Sequence, residues 1–171
     1  LNQWSDNKWK SMAGALYKDS ATTLVYDVGE VIYQNGKFMG DYSSYTAAVA
    51  SSSNGSLTLN SDHMLIKCNN GGHCYVGFDK ELIAPSGYTK MCLRFIPVNT
   101  WNNSNTTMNL SENFSDKWTN HVKCSQTTAG TPVTLTISLT TLTDAFWWGV
   151  GSNYDTYISP EVKVTKIWFE E

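Results

Sequence analysis

The stretch Val133-Thr-Leu-Thr-Ile-Ser-Leu139 alternates apolar and polar side chains at every position. A period of two is the pattern of a β-strand with one buried face and one face in water. Similar short runs recur along the chain, and turn signals such as Asn35-Gly36 and Pro85-Ser-Gly87 separate them. The intervals between the runs show no helical periodicity. The sequence therefore predicts an all-β protein.

The predicted strands begin after an N-terminal segment with a different pattern. Residues 1–20 show no β alternation, and we interpret them as a linker or short helical connector from an upstream domain. Residues 21–171 form the predicted β domain, in which many short strands indicate a two-sheet antiparallel sandwich or a barrel. The predicted strands are Thr22–Tyr26, Glu30–Tyr33, Leu57–Asn60, Met64–Cys68, Cys74–Phe78, Lys90–Val98, Thr107–Leu110, His121–Cys124, Val133–Leu139, Ala145–Val150 and Val162–Phe169.

The composition excludes several classes of function. The formal net charge is −3 and charged residues make up 16% of the chain, so there is no basic patch to attract nucleic acid. No apolar run approaches the roughly 20 residues of a membrane-spanning helix. Ser, Thr and Asn together account for 52 of the 171 residues, which is typical of extracellular binding domains. We expect the protein to act outside the cell, on a cell surface or on a virion.

Metal binding and catalysis have weak support in the sequence. Cys68 and Cys74 bracket a predicted hairpin tip, Asn69–His73, and are either bridged or free, whereas Cys92 reads as a buried thiol. The C-x4-H-C spacing is not a zinc pattern, so we expect no metal and no cofactor. The acids are scattered and no G-x-S-x-G elbow occurs. A non-catalytic protein is predicted, with a glycan lyase or hydrolase as the enzymatic alternative.

A first candidate binding site lies in the polar segment Asn99–Asn105. Trp101 has amide side chains on either side, and a pyranose ring is held by stacking on an indole while amides bind its hydroxyls. We predict Trp101, Asn102, Asn103 and Asn105 as ligand-binding residues. In the alternative, Trp101 folds back onto the edge of the sandwich.

A second candidate site is centred on Trp147. In a strand, Phe146, Trp148 and Val150 share one face, whereas Trp147 shares the other with two glycines that leave open space beside its ring. Trp147 is therefore the predicted stacking platform. Trp168 either lies on the same surface or covers a sheet edge. The next loop supplies the other predicted ligand-binding residues, namely Asn153, Tyr154, Asp155 and Tyr157.

Four segments have a strand rhythm, with a closing strand, that is found in a known family. The segments are Gly55-Ser-Leu-Thr-Leu-Asn-Ser-Asp-His-Met-Leu-Ile-Lys-Cys68, Tyr75-Val-Gly-Phe-Asp-Lys-Glu-Leu-Ile83, Tyr88-Thr-Lys-Met-Cys-Leu-Arg-Phe95 and Val162-Lys-Val-Thr-Lys-Ile-Trp-Phe-Glu170. They resemble jelly-roll carbohydrate-binding modules, and the resemblance covers about residues 55–171. It implies a jelly-roll β-sandwich that binds glycans, and some members hold a structural calcium, although no ligand set can be assigned here. Similar modules occur in secreted glycan-degrading systems and in tail and baseplate proteins of phages that infect Gram-positive gut bacteria.

The predicted function is non-catalytic binding of an oligo- or polysaccharide by aromatic stacking and Asn/Asp hydrogen bonds. Such binding would target a larger assembly or enzyme to a glycan, as in adhesion. The alternative is a structural or receptor-binding domain of a phage tail or surface protein, in which the aromatic side chains are buried in protein–protein contacts. The expected partner is a glycan, without nucleic acid or membrane insertion.

Overall fold

The computed structural model describes the backbone of residues 2–5, 8–11, 16–18, 21–23, 29–102, 105–112, 121–139, 146–152 and 159–171. It describes side chains from residue 29 onward within those ranges, except at positions 70 and 152. All strand pairs are antiparallel. The described elements are β1 Asn2–Ser5, β2 Lys8–Ser11, β3 Leu16–Lys18, β4 Ala21–Thr23, β5 Glu30–Gln34, β6 Lys37–Phe38, a 3-10 helix Gly40–Tyr42, β7 Ala47–Leu59, β8 Met64–Phe78, β9 Lys90–Pro97, β10 Thr106–Ser111, β11 His121–Cys124, β12 Val133–Ser138, β13 Trp147–Ser152 and β14 Glu161–Glu170.

The first layer, sheet 1, is organised around β14. This strand pairs with β9 along one side, and on the other side it pairs with β5 and with the first part of β8. Strand β12 extends the sheet beyond β9, and β6 extends it beyond β5 through the two-residue turn Asn35-Gly36. Positive φ angles at Asn35 (47°) and Gly36 (81°) are those of a tight hairpin turn, which confirms the predicted turn.

The second layer, sheet 2, has the strand order β7–β8–β13–β10–β11. It uses the second part of β8, His73–Phe78, together with the first part of β7, Ala47–Ser53. Since the other parts of β7 and β8 belong to sheet 1, this long hairpin connects the two layers. The chain is therefore the predicted two-sheet β-sandwich.

The bend in the β7–β8 hairpin brings two backbones into close contact. A Cβ atom at Gly72 would overlap the carbonyl oxygen of Ser53, and one at Gly55 would lie 2.6 Å from Cys74 Cβ. The predicted hairpin tip at Asn69–His73 is therefore wrong, because these residues continue β8 through the bend. Here glycine marks a close approach of two strands rather than a chain reversal.

The core lies between the inner faces of the sheets. Strand β12 buries Leu135 and Ile137, while Thr134 and Thr136 remain exposed, as the alternation predicts. Aromatic rings join the two layers, and the ring centroids of Phe146 and Phe169 lie 6.0 Å apart. Most residues of the core have less than 5% of their surface exposed. Burial of this apolar surface is the main favourable term in folding.

The four cysteines all lie among the described residues and form no disulfide bond, so the alternative of a bridge between Cys68 and Cys74 is not found. Both of these side chains are fully buried on the inner face of β8. Burial raises the pKa of the Cys74 thiol to about 11, and the nearby Cys68 contributes in the same direction. Cys92 is buried as predicted, and its Sγ atom lies 3.3 Å from Thr136 Oγ1.

The N-terminal segment contains short strands. Asn2–Ser5 pairs with Lys8–Ser11, and Leu16–Lys18 pairs with Ala21–Thr23. The expectation of a segment without β structure is wrong for these residues, and the second hairpin spans the predicted boundary after residue 20. The interpretation as a connector remains a prediction. None of the described residues belongs to a helix of the length and hydrophobicity needed to cross a bilayer.

The contact at the β7–β8 bend predicts a large effect of Gly72→Ala on stability. The added methyl group forces the two backbones apart, so we expect the free energy of unfolding to fall by about 3 kcal/mol. Gly130→Ala is the control: Gly130 has a φ of +77°, but a Cβ atom added there would meet nothing within 4 Å. This change should cost about 1 kcal/mol. Denaturant unfolding measures both variants, and equal losses would contradict the steric constraint.

Candidate functional site

The outer face of sheet 2 carries an aromatic row backed by glycines. On β8 the side chains of His73 and Tyr75 point away from the core, since Cys74 and Val76 are fully buried between and beyond them. Strand β13 runs alongside, and its register pairs Gly151 with His73, Gly149 with Tyr75 and Trp147 with Gly77. The two strands therefore place three rings on one surface.

The three rings contact one another in sequence. His73 and Tyr75 are stacked, with centroids 5.0 Å apart and planes 26° apart. Tyr75 meets Trp147 edge-on, with centroids 4.8 Å apart and planes at 68°. Both geometries are favourable for aromatic pairs. We call His73, Tyr75 and Trp147 the aromatic row.

Glycines on β13 allow the Tyr75 ring to lie against the sheet. A Cβ atom at Gly149 would lie 2.8 Å from Tyr75 Cδ1, and one at Gly151 would lie 3.3 Å from the Tyr75 hydroxyl oxygen. The sequence predicted open space above these glycines beside Trp147. That prediction is wrong, because Tyr75 from the neighbouring strand occupies the space.

Polar groups border the aromatic row on both sides. Ser51 Oγ of β7 is hydrogen-bonded to His73 Nε2 at 3.0 Å. On β10, the Asn109 Nδ2 group donates to Thr107 Oγ1 at 2.9 Å, and the register places these residues opposite Gly149 and Gly151. The rings thus lie beside hydroxyl groups and the amide of Asn109, which has 8% of its surface exposed. Rings with neighbouring hydroxyl and amide groups are the combination that sugar recognition requires.

Exposure differs along the aromatic row. Trp147 has only 3% of its surface exposed, whereas His73 and Tyr75 are partly exposed. The expectation that Trp147 presents its indole ring to solvent is therefore wrong. Burial raises the pKa of Tyr75, and Cys68 acts in the same direction. The phenol stays protonated at neutral pH, so it can donate as well as accept a hydrogen bond.

Trp101 lies in the core and not at a surface loop. It has 1% of its surface exposed, and its carbonyl accepts a hydrogen bond from the Thr127 amide at 2.8 Å. This isolated bridge ties the segment to the residues before β12 and turns the indole inward. The prediction that Trp101 offers a stacking surface is therefore wrong, and the alternative of folding back onto the sandwich is found. Asn102 and Asn105 are exposed.

The remaining predicted ligand-binding residues lie outside the described part of the chain. They are Asn103, Asn153, Tyr154, Asp155 and Tyr157. Their roles stay predictions.

The sequence pattern alone did not identify His73 and Tyr75. Gly71-Gly72 is a turn signal, so His73 was predicted to lie in a hairpin tip. Tyr75 was predicted to belong to a separate strand after that tip. The missed signal was the alternation of His73 and Tyr75 with Cys74 and Val76, once the run is extended through the glycines.

The geometry does not bring the histidines and cysteines together as metal ligands. His73 faces outward whereas Cys74 faces the core, and His63 Nδ1 is 2.6 Å from Asp62 Oδ1. Among the described residues, no group of three His, Cys, Asp or Glu side chains could hold a metal ion. A structural calcium remains untested.

Solved structures with a similar fold include family 29 carbohydrate-binding modules. A mutant of one such module aligns with a TM-score of 0.50 and 10% identity, over 82% of this chain and 89% of that chain. Another mutant, complexed with mannohexaose, aligns with a TM-score of 0.49 and 12% identity, over 82% of this chain and 89% of that chain. The module from Piromyces equi aligns with a TM-score of 0.49 and 8% identity, over 82% of this chain and 88% of that chain. The chain has their fold. This similarity confirms the predicted jelly-roll β-sandwich.

Sequence comparison adds no relative. No family model matches the chain, and no curated protein sequence matches it either.

The burial of Trp101 predicts that Trp101→Ala destabilises the protein. Removing a fully buried indole leaves a cavity, so we expect the free energy of unfolding to fall by about 3–5 kcal/mol. The exposed neighbour provides the control, and Asn102→Ala should change stability by less than about 0.5 kcal/mol. Urea unfolding measures both. A Trp101→Ala variant as stable as the wild type would show that the indole is not part of the core.

Proposed function

We propose that the outer face of sheet 2 binds a neutral oligo- or polysaccharide without catalysis. The observation that carries this proposal is the aromatic row, in which the partly exposed rings of His73 and Tyr75 are supported by Trp147. A sugar ring packs its C–H face on such rings, and nearby hydroxyl and amide groups bind its rim. Trp147 serves to fix Tyr75 rather than to contact the sugar through its own face.

The charge of this face supports a neutral ligand. Strands β7, β8, β10, β11 and β13 contain no Asp or Glu at any position. These strands therefore lack the paired acids by which most glycoside hydrolases cleave their substrates. They also offer no carboxylate partner for a cationic ligand. The five strands of sheet 2 therefore favour binding of uncharged hydroxyl groups over acid–base chemistry.

The similar modules provide the probes for a test. Their solved structures include complexes with mannohexaose and with cellulohexaose. Titration with these two sugars, and then with a wider set of neutral glycans, identifies the ligand of this chain. We expect a single sugar site of this kind to bind in the micromolar to millimolar range, about −8 to −4 kcal/mol. Several copies on a larger extracellular assembly would give useful strength through avidity.

The test compares Tyr75→Ala with Tyr75→Phe by titration calorimetry against mannohexaose and cellulohexaose. We expect Tyr75→Ala to weaken binding at least tenfold, about 1.4 kcal/mol, because the stacking surface is lost. Tyr75→Phe keeps the ring and should lose only the contribution of the hydroxyl.

Tyr88→Ala is the matched control, because Tyr88 also contacts a second aromatic ring, Phe169, but lies just before β9 of sheet 1. It should leave sugar affinity unchanged. Equal affinities of wild type and Tyr75→Ala would show that the aromatic row is not the site. Failure of the wild type to bind any neutral glycan on an array would contradict the function itself.

A second candidate function is assembly through strand β7. This strand runs 13 residues without a charged side chain or a proline, and among the described residues it pairs only with β8. Val49 and Leu59 on it are 46% and 50% exposed. Natural edge strands usually carry charges that prevent pairing with another chain. An uncharged edge therefore favours the alternative of a structural or receptor-binding domain.

Light scattering tests this alternative, because it compares the oligomeric state of the wild type with that of Val49→Lys, which adds a charge to the edge.

A further inference from the structure

The outer face of sheet 1 differs in charge from that of sheet 2. The registers of β5, β14, β9 and β12 align Gln34, Lys166, Arg94 and Thr134 in a row across the sheet. Arg94 lies between the core residues Leu93 and Phe95, and directly paired residues point to the same face, so the four side chains share the outer face. We call these four residues the cationic row. It presents an amide, an ammonium, a guanidinium and a hydroxyl group.

The two cations of this row converge on one indole. Lys166 Nζ lies 4.7 Å from the centroid of the Trp168 ring, and the Arg94 guanidinium carbon lies 6.0 Å from it. Trp168 itself has 7% of its surface exposed, and Gly29 packs against its edge so closely that a Cβ there would lie 2.7 Å from Cδ1. The indole is thus a fixed base that holds both cations by cation–π attraction.

Arg94 carries the exposed cation of this row. Its side chain is exposed, and it belongs to neither the His63–Asp62 nor the Lys67–Glu161 ion pair. Its guanidinium therefore presents donors to solvent. A bound anion would accept these hydrogen bonds in the bidentate geometry that guanidinium groups favour, and Lys166, directly opposite Arg94, adds a second positive charge beside it.

The surroundings of the cationic row identify the kind of anion. Exposed hydroxyl groups of Thr134 and Thr136 lie beside Arg94 on β12, where they can bind sugar hydroxyls. Glu170 lies on the same face near Cys92 Sγ, at 3.7 Å, and disfavours an anion at that end. A carboxylate carried on a sugar satisfies these constraints.

We propose that the cationic row is a second glycan site that binds a polyuronate, a polysaccharide of sugar carboxylates. Arg94 and Lys166 bind the carboxylate, Thr134 and Gln34 bind neighbouring hydroxyl groups, and Trp168 positions the two cations. This site lies on the opposite sheet from the aromatic row and does not depend on the function proposed there. One domain would then hold a neutral and an acidic polysaccharide on its two faces.

The test uses affinity electrophoresis at pH 7 in gels that contain polygalacturonate, with hydroxyethylcellulose gels as the neutral reference. We expect the wild type to be retarded by polygalacturonate at low salt and less so as salt is raised. Arg94→Gln and Lys166→Gln should each weaken this binding at least tenfold. Arg94→Lys should bind more tightly than Arg94→Gln but more weakly than the wild type, because it keeps the charge without the bidentate group. Tyr75→Ala should leave it unchanged.

Lys123→Gln is the matched control, because it removes the same charge from an exposed residue of sheet 2. It should keep at least half of the wild-type affinity. Equal losses in Lys123→Gln and Arg94→Gln would overturn the proposal in favour of a non-specific charge effect. Absence of retardation of the wild type would also overturn it. Tighter binding to dextran sulfate than to polygalacturonate would overturn the assignment to a carboxylate.

Discussion

The close contact of two backbones at the β7–β8 bend determines the arrangement of both sheets. Only a residue without a side chain fits at Gly72, because the carbonyl of Ser53 occupies the position of a Cβ atom. The bend lets one strand, Met64–Phe78, pair with β14 in sheet 1 and with β13 in sheet 2. The relative position of the two layers is thus set by the covalent continuity of a single strand.

The two outer faces differ in chemistry because successive side chains of a strand point to opposite faces of its sheet. The residues on each outer face can therefore vary without a change in the core. The same β8 that buries Cys74 and Val76 presents His73 and Tyr75 to one outer face, where no strand contributes a carboxylate. On the other outer face, β14 presents Lys166 and Trp168 between core residues. A sandwich of this type therefore carries two surfaces whose ligands can change separately, since neither outer face takes part in the core.

Local patterns predicted the parts of this fold that depend on neighbours in sequence. The alternation in Val133–Ser138 and the turn at Asn35-Gly36 depend only on short-range geometry, and both were predicted correctly. The continuity of β8 was missed, because a glycine pair fits a turn and a close strand approach equally well. Only the position of β7 distinguishes the two.

The candidate site was harder to predict for the same reason. Whether a tryptophan in a polar segment faces water depends on distant residues, and the bridge to Thr127 turns Trp101 inward. Likewise, the ring that fills the space over Gly149 comes from Tyr75, on a strand far earlier in the chain. The sequence placed Trp147 and its two glycines on one strand, β13, but did not predict the ring of β8 that covers those glycines.

The central place of β14 in sheet 1 has a consequence for synthesis on the ribosome. Its neighbours β5, β8 and β9 are all translated earlier, yet they share no direct pairing in that sheet until Glu161–Glu170 inserts between them. Sheet 1 therefore stays incomplete until its last strand has left the exit tunnel. Until then, the strands of sheet 1 that are already synthesised have unpaired edges. Chaperones that bind extended polypeptide would recognise such edges on the nascent chain.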